Sequence, residues 1–241
     1  MEEHEKILKI RGRRAMSTGC CSAFSLLSKD PAGGEAYDLA VGRDWFPVIG
    51  LTTGLLVMVL GRIGGMVDPW LGAVLALLAW YGANGGAHAV GAATMADGCA
   101  GRGGGALQSA LLVAAKLVLL MLLISAARWW ALVLIPAWSR LGAAWCLASI
   151  PPAADDPVAQ TLHDHAQQEG SSTGFWALAL WLLGGALSPL MWLAPLVIAG
   201  WYWFLQNRLG GMRGAAIHAG VEWCEVGLLV LAVVLHSTVA S

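Results

Sequence analysis

The chain has 241 residues, 58% of them hydrophobic and only 12% charged, with a formal net charge of −1 at pH 7. A chain this apolar exceeds what a soluble domain of its length can bury, which excludes a soluble enzyme and marks an integral membrane protein. The near-neutral charge, with no long basic run beyond the N-terminal tail, excludes nucleic acid as a partner. Cys20, Cys21, Cys99, Cys146 and Cys224 are scattered without a Cys-x-x-Cys pair and read as reduced thiols.

In chain order, residues 1–44 read as a cytosolic N-terminal tail with a short amphipathic piece around Ala23–Leu27. Met1–Arg14 is charged and lacks the apolar core of a secretory signal. Residues 45–241 read as an integral membrane helical domain. Apolar runs predict helices over 46–64, 70–93, 107–126, 128–148, 175–187, 190–205 and 216–236. That is about seven crossings if roughly 20 apolar residues span a bilayer. Gly184-Gly185 and Ser188-Pro189 predict a break within 175–205, and Pro151-Pro152 stops the fourth helix before a polar loop over Ile150–Thr173. The fold class is all-α: a polytopic membrane helix bundle with cytosolic glycine-rich motif loops. Lys6, Lys9, Arg11, Arg13, Arg14 and Lys29 place the N-terminal region in the cytoplasm. Counting crossings then puts 94–106, 150–173 and 206–215 on that same face.

Two glycine-rich stretches stand out, Asn84–Gly98 and Gly210–Gly214. Glycine costs roughly 1 kcal/mol relative to alanine inside a helix. Its use here points to backbone that approaches a ligand or breaks beside a cavity, with Gly85, Gly86, Gly98, Gly210 and Gly211 as the candidate substrate-binding positions. His218, Glu222 and Glu225 are spaced i, i+4, i+7 and share one face of the last helix. Carboxylates are expensive in hydrocarbon, so this face should meet a cavity or a cation; simple solvation at the interface is the competing reading. His88 and Asp97 flank the first glycine stretch and could converge on one cavity. Lys116, inside the third span, could neutralise a phosphate, pair with Glu222 or snorkel to the interface. Ser139-Arg140 lies inside the fourth, where an arginine implies an internal anion. His163-Asp164-His165, with Asp155, Asp156 and Glu169, has metal-ligand composition but reads as a solvated loop. The thirteen tryptophans read as interface and packing residues, with no ligand role.

At these residues the chain resembles the cobalamin synthase family, the adenosylcobinamide-GDP ribazoletransferases. The family pattern Gly-Gly-x-His-x-Asp-Gly-Leu-x-Asp-x-x-Asp-Gly is matched by Gly85, Gly86, His88, Gly91, Asp97 and Gly98. Phe46-Pro47-Val48-Ile49-Gly50 resembles the family's Phe-Pro-Leu-Ile-Gly, and Glu222 and Glu225 its Glu-x-x-Glu. Lys116, Ser139-Arg140 and Gly210-Gly211 fall in the expected order. Two of the three motif aspartates are here Val90 and Thr94, and the one after the second glycine motif is Ala215. The family's N-terminal Thr-Arg is Leu26-Leu27, and its Asp-Ser-Arg-like element is not visible before Leu107.

The resemblance implies a displacement at phosphorus. A hydroxyl of α-ribazole, or of its phosphate, attacks adenosylcobinamide-GDP and releases GMP. It further implies Mg²⁺, held by Asp97, Glu222 and Glu225, with His88 as ligand or acid/base and Lys116 and Arg140 facing the phosphates. His218 stands where the family usually has a small residue. As an added ligand it would move the preference towards Mn²⁺ or another divalent ion that accepts imidazole. Implied partners are the two substrates, the lipid bilayer, and a second copy or other cobalamin-assembly enzymes. The implied location is the bacterial cytoplasmic membrane. The alternative is a catalytically silent member that binds a corrinoid or nucleotide, or scaffolds a sister enzyme.

Overall fold

The computed structural model describes residues 45–100, 103–156, 159–160, 163–164, 172–209 and 211–239. The tail 1–44, its amphipathic piece, Gly210, His165 and Glu169 lie outside the described residues. Eight α-helices carry the described chain: α1 Phe46–Gly65, α2 Pro69–Asn84, α3 Ala87–Ala100, α4 Gly104–Ser125, α5 Trp129–Ser149, α6 Thr173–Leu187, α7 Ala194–Phe204 and α8 Gly214–Val239. A 3₁₀ turn, Pro189–Leu193, joins α6 to α7, and a π turn, Leu205–Leu209, follows α7. Among the described residues there is no strand, only an isolated bridge between Pro152 and Met212.

Among the described residues, four helices are long and apolar enough to cross a membrane: α1, α4, α5 and the Gly214–Leu235 part of α8. The chain is a membrane helix bundle. The predicted break within 175–205 is present, because Ser188 leaves the helical region and Pro189 opens the 3₁₀ turn. The single span expected over 70–93 is instead two helices. Gly85 and Gly86 both take left-handed φ values (57° and 77°), which no continuous helix admits. Likewise the loop expected over 94–106 is helical to Ala100. At about 1.5 Å per residue, α2 reaches roughly 24 Å and α3 roughly 21 Å, each short of a ~30 Å hydrocarbon core.

The centre of the bundle is α5, buried without interruption from Ala131 to Ala144. Gly50 and Gly54 of α1 face its backbone at Ala137 and Val133, so closely that a Cβ at either glycine would collide with main chain. This small-xxx-small approach is how membrane helices gain packing where lipid offers no hydrophobic drive. The pairing is antiparallel, which sets the start of α1 beside the end of α5. The α3–α4 turn, the segment after α5 and the start of α8 lie at that same end. There Met212 donates its N–H to Pro151 O (2.8 Å) and accepts from Ala153 N (2.9 Å). Asp156 accepts from Gly214 N at 2.9 Å and caps α8, while Arg213 pairs with Asp155 at 3.1 Å on the surface.

Candidate functional site: a buried ion cluster beneath an open groove

Pro136 in α5, Asn84 at the end of α2, Lys116 in α4 and Glu222 and Glu225 in α8 meet midway along α5. Lys116 follows the buried stripe Leu112, Lys116, Leu120, so its ammonium reaches the interior instead of snorkelling. It is 0% exposed and lies 2.9 Å from Glu222 Oε1 and 2.8 Å from Glu225 Oε2. The rings of Trp80 and Tyr81 each stand 5.0 Å from it, adding cation–π attraction. Arg140, also 0% exposed, donates through Nη1 to Glu225 Oε1 and to Pro136 O, both at 3.0 Å. Its Nη2 donates to Asn84 Oδ1 at 2.6 Å. Tyr81 donates its hydroxyl to Glu222 Oε1 at 2.6 Å, and Ser139 Oγ reaches Pro136 O and Glu225 Oε1.

Two cations thus face two carboxylates, and the four side chains form a charge-neutral knot that ties α2, α4, α5 and α8 together. Burying four charges is tolerable only with this pairing, since each ion alone would cost several kcal/mol of lost hydration. The resemblance implies that Lys116 and Arg140 face phosphates. Lys116 contacts Glu222 and Glu225 instead, and the terminal nitrogens of Arg140 donate to Glu225, Pro136 and Asn84, with its Nε left without a partner among the described residues.

The glycine break sits directly on this knot, because Asn84 is the last residue before Gly85-Gly86. It therefore lies midway along α5, not in a loop at the end of the bundle. Past the break, His88 is fully buried and its Nδ1 stands 3.3 Å from His218 Nδ1, one of the two nitrogens donating. Gly91, one turn further, leaves room for His218, whose Cβ a side chain at 91 would strike.

His88 and Asp97 do not converge. Nine helical residues turn through roughly 900°, which places them on opposite faces and roughly 13 Å apart along the axis. Asp97 Oδ1 accepts from Gly103 N (3.0 Å) and Gly105 N (2.8 Å) and fixes the α3–α4 turn. Val90, Thr94 and Asp97 share a face of α3 at i, i+4, i+7. With Ala93, Ser109 and Ala110 they line an open groove of 750 Å³ against α4. The expected metal set of Asp97, His218, Glu222 and Glu225 is therefore not gathered. Among the described residues, no three His, Cys, Asp or Glu side chains come together to hold an ion. The residues present do not fit a protein-built metal site.

Gly211 also departs from expectation. Its φ is 148°, and a Cβ at this position would stand 3.0 Å from Ala153 N and Pro151 O, so the glycine serves the close packing of two chain segments. Gly98 is open, with no atom within 4 Å of where a Cβ would stand. His163 and Asp164, expected in a solvated loop, are helical instead and join no metal cluster among the described residues; His163 Nδ1 contacts Leu147 O at 3.0 Å. Sequence reasoning missed Trp80, Tyr81 and Asn84. Their signal was the spacing Tyr81-x-x-Asn84 of two polar groups in an otherwise apolar span, just ahead of the paired glycines.

The cobalamin-5-phosphate synthase family model matches residues 19–233. The chain belongs to that family. Among relatives, the adenosylcobinamide-GDP ribazoletransferase of Thiobacillus denitrificans is 36% identical over 210 residues, covering 78% of this chain and 82% of the relative. That of Novosphingobium aromaticivorans is 32% identical over 208 residues, 80% and 84% of the two chains. The Laribacter hongkongensis protein of the same name is 45% identical over a shorter stretch of 113 residues, 44% and 42% of the two. No solved structure matches the chain. Within this cobalamin synthase fold the ion knot, the glycine break and the groove all fall inside the matched residues.

Proposed function

We propose that this chain is an adenosylcobinamide-GDP ribazoletransferase, joining α-ribazole or its phosphate to adenosylcobinamide-GDP. The ribazole hydroxyl oxygen bonds to the phosphorus attached to the corrinoid. The bond from that phosphorus to the bridging oxygen breaks, GMP leaves with the bridging oxygen, and the hydroxyl proton passes to solvent or to a carboxylate. The observation that carries this reading is the near-complete family match, joined to one geometric fact. Asp97, the motif aspartate retained here, is held by two backbone N–H groups on the wall of an open groove.

Asp97 is the residue we place against substrate, with Gly98 leaving space beside it. Lys116, Arg140, Glu222 and Glu225 are positioning residues that fix the helices under the motif. The Mg²⁺ expected of such chemistry is proposed to arrive with the diphosphate, whose oxygens supply ligands that this fold does not gather. We place the protein in the bacterial cytoplasmic membrane with the Asp97 end facing the cytosol. The support is the basic tail that precedes α1, which starts at that end.

The test separates the charge of Asp97 from its capping bonds. Asp97→Asn keeps an oxygen that accepts from Gly103 and Gly105, whereas Asp97→Ala loses about 1 kcal/mol of capping as well. Both are assayed for GMP release from adenosylcobinamide-GDP plus α-ribazole, and for growth of a strain lacking its own synthase. The expected result is that both variants fail while Asp97→Asn melts like the parent chain. Parent protein present in the membrane without turnover would leave the silent reading in its place.

A further inference from the structure

On the opposite side of α3 from the groove lies a second cavity, of 400 Å³, walled by α3, α4, α7 and α8. Its walls include Met95, Gln108, Gly200, Trp201, Phe204 and Trp223. We infer that this cavity seats the flat heterocyclic base of the nucleoside substrate, an inference that rests on the transferase reading above.

Three features point to a planar aromatic ligand. Trp201 and Phe204 stack on each other at 5.3 Å and 26°, presenting a flat wall. The indole is pinned from behind by Gly220, where any Cβ would collide with its ring nitrogen, so the wall is set before a ligand arrives. At the rim, the Gln108 amide is partly buried in an otherwise apolar lining and has no hydrogen-bond partner among the described residues. An acyl chain offers that amide nothing, whereas a ring nitrogen or ribose hydroxyl does. The size falls in the range of small-molecule sites, and bases stack on aromatic side chains whatever their edge pattern.

Position completes the argument. Met95 and Cys99 of α3 face this cavity, while Val90, Thr94 and Asp97 face the groove. The two spaces are divided by α3 and approach each other at its end, where Gly98 carries no side chain. A nucleoside has an apolar planar base and a polar ribose. With the base in the aromatic cavity, its ribose emerges at the end of α3 beside Asp97.

The experiment measures α-ribazole binding by calorimetry, and KM for each substrate, on the full-length chain in lipid nanodiscs. Gly200→Leu fills the cavity from a position where a Cβ meets no atom within 4 Å. Its expected effect is a rise of about ten-fold or more in Kd and KM for α-ribazole, from lost stacking, with KM for adenosylcobinamide-GDP unchanged. Gln108→Ala, which plugs nothing, should raise the same two constants about five-fold by removing one hydrogen bond. Ala177→Leu, in a separate tryptophan-lined cavity between α5, α6 and α7, serves as the control and leaves both substrates as in the parent. Turnover with parental α-ribazole constants in Gly200→Leu and Gln108→Ala overturns the assignment and leaves the transferase reading standing. A parent chain that neither binds α-ribazole nor releases GMP overturns both.

Discussion

Lys116→Met deletes one charge while keeping most of the apolar stem that packs along α4. What remains is two carboxylates, at 1% and 0% exposure, of which only Glu225 keeps a cation, the guanidinium of Arg140. Glu222 Oε2 already lacks a partner, so Glu222 would keep only the Tyr81 hydroxyl. Breaking a buried pair in this way costs about 3–5 kcal/mol, a large share of the ~5–15 kcal/mol that keeps a typical domain folded. The cause is charge imbalance and not lost contact, so adding Glu222→Gln should restore much of the loss. The amide oxygen still accepts from Tyr81, and Glu225 keeps Arg140. Unfolding of the full chain in mixed detergent micelles, followed by tryptophan fluorescence, gives the four corners of the cycle. A coupling of roughly 2 kcal/mol or more is expected, insensitive to salt because the pair is buried. A single variant within ~1 kcal/mol of the parent, as for an exposed pair, refutes the reasoning. So does a double variant that loses the sum of the two singles.

Two further expectations concern the glycine motif and the absent ion site. Gly211→Ala forces a side chain into a left-handed backbone position against Ala153 and Pro151, and should destabilise the chain by about 1–3 kcal/mol; thermal unfolding checks it, and a parental midpoint would refute the packing role. EDTA should leave the melting temperature of the substrate-free chain unchanged, because a protein-built ion site would stabilise by mass action and this fold gathers none among its described residues. A clear drop in the midpoint on chelation would show a preformed site.

Much of the bundle was legible because membrane helices announce themselves by length and apolarity. The boundaries of α1, α4 and α5 fall within three residues of the apolar runs that predicted them. The proline at 189 marked its break for a local reason that needs no neighbour. The span over 70–93 failed for the converse reason. Its hydropathy is continuous, and hydropathy does not record φ, so two left-handed glycines passed as a helix interior. The candidate site divided along the same line. Spacing on α8 correctly put Glu222 and Glu225 towards the interior, but spacing within one helix cannot say what faces it. Among the readings left open for Lys116, packing decides for the pair with Glu222; it supplies Glu225 as the internal anion of Arg140 and turns Asp97 to the far side of α3.

That division bears on how the proposed chemistry survives Val90 and Thr94 in place of two motif aspartates. The ion knot is internally balanced, so it depends on none of the motif positions that differ. Its members fix α2, α4, α5 and α8, and through Asn84 they fix the break from which α3 starts. The face of α3 that carries Val90, Thr94 and Asp97 is open to the groove, and Val90 and Thr94 are both exposed there. Substitutions on that face leave the scaffold intact and change only what the groove can hold. In the proposed reaction, fewer carboxylates there would leave a diphosphate-bound cation with fewer protein ligands and more of its coordination to phosphate oxygens. The fold thus tolerates the missing aspartates structurally, and among the described residues Asp97 is the one carboxylate that lines the groove where the substrates would meet.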